Sequence, residues 1–272
     1  IRDLTVTGVQ TCALPILGHG DCVDRKAPAP IDVLPSGTLS VACGQFHSIM
    51  VTKDGGAYAC GKNDYGQLGL STGDISKVFT AIDGDSARED VVQVCCGYYH
   101  TLLLTRKGSV FGFGRNDYGQ LGLGNTQPRI FGEACITNLR DKRVVAISAG
   151  CYHSVVATFN SMLYVFGRNN HGQLGTGDTD ERHSPHPVDD FVGKRIVSIA
   201  TGFYHTCVLV GDMEYSWTDG DELNVIGSNP QAQALQMQTL MNAHEPGAVV
   251  DDASNFNQEP SSSSTNPLPS SL

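Results

Sequence analysis

Apolar residues along this chain come in short runs that end at turns. "RVVAISAG" leads into "HSVVAT" and then "MLYVFG", and one period earlier the same places hold "VVQVCCG", "HTLLLT" and "SVFGFG". Runs this short, rich in Val, Ile, Leu and Phe and bounded by Gly, predict strands and not helices. Between the second and third runs stand "KDGG", "RKG" and "FNS", where Gly or Asn can take positive φ and close a tight hairpin. Another extended piece follows in each period, as in "APAPIDVL", "PRIFGEACI" and "SPHPVDDF". The pattern predicts about four short strands in a period of about 50 residues.

The period is exact enough to be read by eye. "VACGQFHSIMVTKDGGAYACGKNDYGQLGL" returns as "VCCGYYHTLLLTRKGSVFGFGRNDYGQLGL" and again as "ISAGCYHSVVATFNSMLYVFGRNNHGQLGT", and a fourth copy begins "IATGFYHTCVLV". The repeat cores lie near 41–70, 94–123, 147–175 and 199–218. His47, His100, His153 and His205 mark the copies at spacings of 53, 53 and 52 residues; Asn63, Asn116, Asn169 and Gly66, Gly119, Gly172 mark the loop words at spacings of 53. A four-stranded sheet cannot bury its own faces, so a serial repeat of this length predicts the blades of an all-β propeller.

At these residues the sequence resembles the regulator of chromosome condensation repeat family. Its hallmark, G-x-x-H-(S/T) and then (W/F)-G-x-N-x-x-G-Q-L-G, is present as Gly97, His100, Thr101, Phe113-Gly114, Asn116 and Gly119-Gln120-Leu121-Gly122. The third copy supplies Gly150, His153, Ser154, Phe166-Gly167, Asn169 and Gly172-Gln173-Leu174-Gly175. Cys60 departs from the aromatic that the family places before Gly61. In the fourth copy no GQLG word follows; Tyr215 and Trp217 are candidates for a strand, with Trp217 in the aromatic slot and Thr218 where Gly is expected. The resemblance implies a propeller of the regulator of chromosome condensation type. It is expected to be incomplete here, with about four blades of about seven in a closed ring.

The two ends read differently from the repeats. Val6 to Ile16, "VTGVQTCALPI", can be spelled by codons that resemble a common short-read sequencing adapter, so residues 1–16 are expected to be a non-native scar. "LGHGD" at Leu17 matches "LGTGD" at Leu174, which implies an earlier repeat cut inside its GQLG word and a chain that is a piece of a longer protein. The propeller is assigned to 17–228 and a polar, disordered linker or tail to 229–272, ending "SSSSTNPLPSSL". The net charge of −10 is concentrated late: nine acids and no Lys or Arg follow from Gly211 onward, which leaves 28 − 9 = 19 acids against 18 bases before it.

That near-neutral balance gives no basic field for nucleic acid, so direct nucleic-acid contact is not expected. No apolar run is long enough to predict a membrane span. Apart from Cys12, the eight cysteines show no C-x-x-C pair, and several lie in apolar strands, so buried free thiols in a reducing compartment are expected. One His per blade does not make a convergent site. His47, His100, His153 and His205 are expected to satisfy backbone groups near their own turns, and the Asn and Gly markers to shape the loops. No catalytic, metal or cofactor residue is assigned, and no cofactor is expected.

The function implied is a non-enzymatic protein-interaction scaffold. The chain would be a module of a larger eukaryotic protein of ubiquitin-ligase or adaptor type, cytoplasmic or nuclear. The alternative implied by the family is guanine-nucleotide exchange on a small GTPase. Expected partners are other proteins, a small GTPase or a ubiquitin-pathway component among them. Contacts are expected in the variable segments 71–90, 125–143 and 178–195.

Overall fold

Each sequence period folds into one antiparallel sheet. In the computed structural model, residues 7–10, 15–31, 34–35, 37–71, 73 and 75–211 are described. Strands β1 (Thr7–Gln10) and β2 (Arg25–Pro30) form a pair. The first full blade contains β3 (Thr38–Cys43), β4 (His47–Thr52), β5 (Ala57–Lys62) and β6 (Ile75–Ala81). The second contains β7 (Val91–Cys96), β8 (His100–Thr105), β9 (Val110–Gly114) and β10 (Arg129–Cys135). The third contains β11 (Val144–Ala149), β12 (His153–Thr158), β13 (Leu163–Gly167) and β14 (Arg182–Val188). A final pair is β15 (Arg195–Thr201) and β16 (Thr206–Gly211). The candidate strand at Tyr215 and Trp217 and the whole of 229–272 lie outside the described residues.

Among the described residues the fold is thus an all-β partial propeller, with three four-stranded blades and a two-stranded piece on either side. The first strands β3, β7, β11 and β15 neighbour one another and line the axis, while the fourth strands lie on the rim. The alternation of side chains along each strand makes this possible. Ile49 and Val51 of β4 pack with Val94, Cys96, Leu103 and Phe113 of the next blade, so the apolar core lies between sheets. Val156 and Phe166 meet Cys95, Leu102 and Leu104 across the second gap in the same way. Every residue of β8 is buried, because it has a blade on each side.

Two hairpins turn on Gly55 (φ 84°) and Gly108 (φ 82°), as the sequence predicts. The third turns on Ser161 (φ 59°) and not on Asn160. There the Thr158 hydroxyl donates to Asn160 Oδ1 at 2.6 Å and accepts the Met162 N–H at 3.1 Å, which holds the left-handed backbone at a serine.

Two local departures from the repeat can be placed in the structure. Cys60 stands in the aromatic slot of the first blade, and Phe79 of the rim strand and Cys60 itself both approach Gly18. A Cβ built on Gly18 would lie 2.7 Å from the Phe79 ring and 3.2 Å from Cys60 Sγ. At the start, Thr7 faces Pro30 and Gln10 faces Arg25, just as Tyr164 faces Pro187 and Gly167 faces Arg182 in the third blade. Residues set apart as non-native therefore occupy a third-strand position.

Candidate functional site

Chain direction alternates along each blade, so the loop after its first strand and the loop after its third open on the same end of the propeller. The GQLG loops at that end are held from within. Asn63, Asn116 and Asn169 accept the amides of Leu68, Leu121 and Leu174 at 2.9, 2.9 and 3.0 Å. Their Nδ2 groups donate to the carbonyls of Gly73, Gln127 and Asp178, each at 3.0 Å. Gly66, Gly119 and Gly172 all have φ between 72° and 80°, the left-handed turn that glycine adopts at least cost.

The marker histidines join blades. His47, His100 and His153 place Nε2 3.0 Å from the hydroxyls of Thr101, Ser154 and Thr206, in each case on the following blade. Each hydroxyl donates its one proton at 2.8 Å to the carbonyl of Gln67, Gln120 or Gln173, back on the blade that carries the histidine. The imidazole is therefore the donor at Nε2. Its Nδ1 is buried without a hydrogen-bond partner in all three. Burial holds His47 and His100 down at about 3 and His153 at about 4, below the ordinary 6.5, so all three are neutral. The expected partner was backbone near the same turn; the actual partner is a side chain on the next blade, about fifty residues away in sequence. Ser48 repeats the geometry at the front, donating at 2.7 Å to the carbonyl of Ile16. His205 is exposed.

These residues run along separate seams and share no cleft. Among the described residues, no group of three or more His, Cys, Asp or Glu could hold a metal ion. The thiols are all free and they divide: Cys60, Cys95, Cys96 and Cys151 are buried as expected, whereas Cys22, Cys43 and Cys207 are exposed and Cys135 is half-buried, so the expectation of buried thiols holds for only part of the set. Burial pushes the Cys95 and Cys151 thiols up, which keeps them protonated and inert.

What gathers at the loop end is an aromatic surface. Backbone bonds stitch the first loops into a chain around the axis: Gln45 N–H to Tyr98 O at 3.3 Å, Tyr98 N–H to Cys151 O at 3.1 Å, and Cys151 N–H to Phe203 O at 3.4 Å. Phe46, Tyr99, Tyr152 and Tyr204, each next to a marker histidine, and Tyr65 and Tyr118 of the GQLG loops are half-buried around that chain. Ring centroids lie 5.0 Å apart for Tyr65 and Tyr99, 5.3 Å for Tyr118 and Tyr152, and 4.7 Å for His171 and Tyr204. The Arg115 guanidinium sits 5.0 Å from the Tyr65 ring and 5.4 Å from Tyr152, and also pairs with Asp117. Arg168 lies 4.9 Å from Tyr118. Burial pushes the Tyr99 phenol up to about 12, so it stays an uncharged donor. Rigid aromatic rings interleaved with guanidinium groups have the chemistry of protein interfaces, where Tyr and Arg supply area and directional polar contacts.

Sequence reasoning missed this surface, although its signal is present. An aromatic residue precedes the marker histidine in every copy: "GQFH", "GYYH", "GCYH" and "GFYH". Contacts were expected instead in segments 71–90, 125–143 and 178–195. Each of those contains a rim strand (β6, β10, β14) and a short 3-10 turn, at Ser86–Glu89, Thr137–Leu139 and Asp189–Phe191. Among the described residues no helix is long and apolar enough to cross a membrane.

A family model described as an RCC1-like domain matches residues 9–208. The chain is 32% identical over 203 residues to the ultraviolet-B receptor UVR8 of Arabidopsis thaliana, covering 74% of this chain and 46% of the receptor. It is 35% identical over 196 residues to the probable E3 ubiquitin-protein ligase HERC4 of Homo sapiens, covering 72% of this chain and 18% of the ligase. The chain thus spans less than half the length of these relatives. Among solved structures, Prp20p of Saccharomyces cerevisiae, described with its binding to Gsp1p and histones, superposes with a TM-score of 0.64 at 19% identity. That match covers 86% of this chain and 55% of Prp20p, a likeness of fold. With the repeat words, the blade sheets and the matched span in agreement, the chain belongs to the RCC1-like domain family.

Proposed function

We propose that this chain is a non-enzymatic protein-interaction module, and that the aromatic and guanidinium surface at its loop end receives the partner. The observation that carries the reading is the recurrence of that surface. Most polar groups of the repeat words are taken up in loops and seams, yet every blade adds one to three half-buried rings to the same end, the second blade supplying Tyr98, Tyr99 and Tyr118. Arg115 is 9% exposed and lies over three rings, so part of the surface is already rigid before any partner arrives. Preorganised rings lose little conformational freedom on association. Partners of ubiquitin-pathway type agree with the likeness to HERC4, whose name marks it as a ligase.

The test compares two variants for binding to a candidate partner panel that includes ubiquitin-conjugating components and nucleotide-loaded small GTPases. Tyr98→Ala with Tyr152→Ala removes rings from the loop end. Arg106→Ala with Lys107→Ala alters exposed hairpin positions at the other end. Partners held by the parent are expected to be lost by the first variant and kept by the second. The reverse result overturns the reading of the surface. Accelerated nucleotide release from any GTPase of the panel overturns the scaffold reading in favour of exchange activity.

A further inference from the structure

The aromatic end has a hollow among its first loops. It is a cavity of about 110 Å³, lined by Cys43, Cys96 and Ala149 at the ends of β3, β7 and β11, and by Tyr98, Cys151 and Phe203. The word position after the first-loop glycine holds Gln45, Tyr98, Cys151 and Phe203 in the four copies, so one small side chain stands among larger ones. The Tyr98 and Phe203 rings, from the blades on either side of Cys151, lie 5.8 Å apart and edge-on. Cys43 is exposed, so the hollow is reached from solvent. The backbone donors around it are already used. Gln45, Tyr98 and Cys151 donate to the loop of the next blade, and Gly44, Gly97 and Gly150 donate to the carbonyls of His47, His100 and His153 at 2.9, 2.8 and 2.9 Å. Burial pushes the Cys96 thiol up, so it is uncharged there, as Cys151 is. Among the described residues no charged side chain lines the hollow. A cavity whose polar groups are spent takes an apolar guest, and about 150 Å³ of such space is enough for a benzene.

We propose that this hollow is the anchor pocket of the loop-end surface, and that it takes one methionine side chain from a protruding loop of a protein partner. The inference rests on the interaction-surface reading and adds what the partner must bring. The walls select the guest. Thiols and the edges of Tyr98 and Phe203 are soft and polarisable, and a thioether makes favourable contacts with ring edges while adapting its shape to an irregular space. A carboxylate or ammonium group would be desolvated there with no partner of opposite charge. Position points the same way. The half-buried rings of Phe46, Tyr99, Tyr152 and Tyr204 stand around the hollow. Interface anchors occupy such desolvated central pockets inside a ring of contacts that exclude water, and methionine is enriched at interfaces.

The test uses two probes on the whole chain, followed by amide NMR: ethyl methyl sulfide, which is the end of a methionine side chain, and propionate, a charged group of similar size. The sulfide is expected to shift the amides of Cys43, Cys96 and Phe203 saturably, and propionate to leave them in place. Cys151→Phe gives the third copy the residue that the fourth carries, and is expected to weaken the sulfide about tenfold or more with the urea midpoint unchanged. Cys43→Leu fills the same hollow from an exposed position and is expected to act alike, which keeps the test open if Cys151→Phe does not fold. Any partner found on the loop end should weaken with the same variants. No saturable shift, an equal response to propionate, or equal sulfide binding by the filled variants overturns the pocket. A partner lost by Tyr98→Ala with Tyr152→Ala but held undiminished by Cys151→Phe overturns the anchor and leaves the surface reading standing. A partner kept by the tyrosine variant overturns the surface reading and the anchor with it.

Discussion

The two sides of the third blade differ sharply. On the side of the second blade, His100 is 0% exposed, its Nε2 reaches Ser154, and Gly119 is pressed against the rim strand so closely that a Cβ would lie 2.5 Å from the Cα of His183. On the far side the inner seam is made in the same way, His153 to Thr206, but among the described residues nothing covers the outer half. Among the described residues nothing lies within 4 Å of a Cβ built on Gly172, and His205 is exposed. The same words in the sequence thus sit in opposite environments. A repeat residue has no fixed energetic worth; the blade next to it sets the value.

Acidification should produce the largest effect, because it acts on all the closed seams together. Folding depresses His47, His100 and His153 to about 3, 3 and 4 from 6.5, so the unfolded chain binds the more protons at mildly acid pH. Stability is therefore complete above about pH 6.5 and is lost as pH falls toward the folded values. At pH 5 the loss is about 2 kcal/mol for each histidine. Urea midpoints measured from pH 7 to pH 4 should fall steeply below 6.5, and a flat profile down to pH 5 would contradict neutral buried seams.

A matched pair of histidine truncations comes next. His100→Ala removes a buried ring and one inter-blade hydrogen bond, at an expected cost of about 2–4 kcal/mol. His205→Ala should change stability by less than about 0.5 kcal/mol, as exposed substitutions do. Equal losses by urea denaturation would show that His205 is latched by chain beyond Gly211.

The smallest separation is expected between Gly119→Ala and Gly172→Ala. Their φ angles, 77° and 72°, impose the same left-handed strain of about 1–2 kcal/mol. Only Gly119→Ala adds a collision with the His183 backbone, worth about 1–3 kcal/mol more. If thermal unfolding places the two variants together, a rim strand covers Gly172 in solution.

Much of this architecture was legible along the chain. Four runs per period, "KDGG" and "RKG" as hairpins, and Asn63, Asn116 and Asn169 as loop-forming residues all depend on neighbours within one blade. The seams were not legible, because each joins atoms that the repeat holds one period apart. The serine or threonine after every marker histidine was visible as part of a word; its role as the acceptor for the preceding blade's imidazole was not. Phe79 is similar: nothing in "SKVFTA" says that it comes beside Gly18 together with Cys60, which happens only once β6 folds back beside β5.

The sequence by itself determined the unit: strand count, turn positions, period and family, because hydrophobic alternation and turn chemistry act over a few bonds. The tertiary structure alone decided which copies of the unit are closed and where the aromatic rings converge. Burial, tautomer and the Arg115 contacts follow from the approach of separate blades around an axis, and identical local words cannot say what the next blade brings against them.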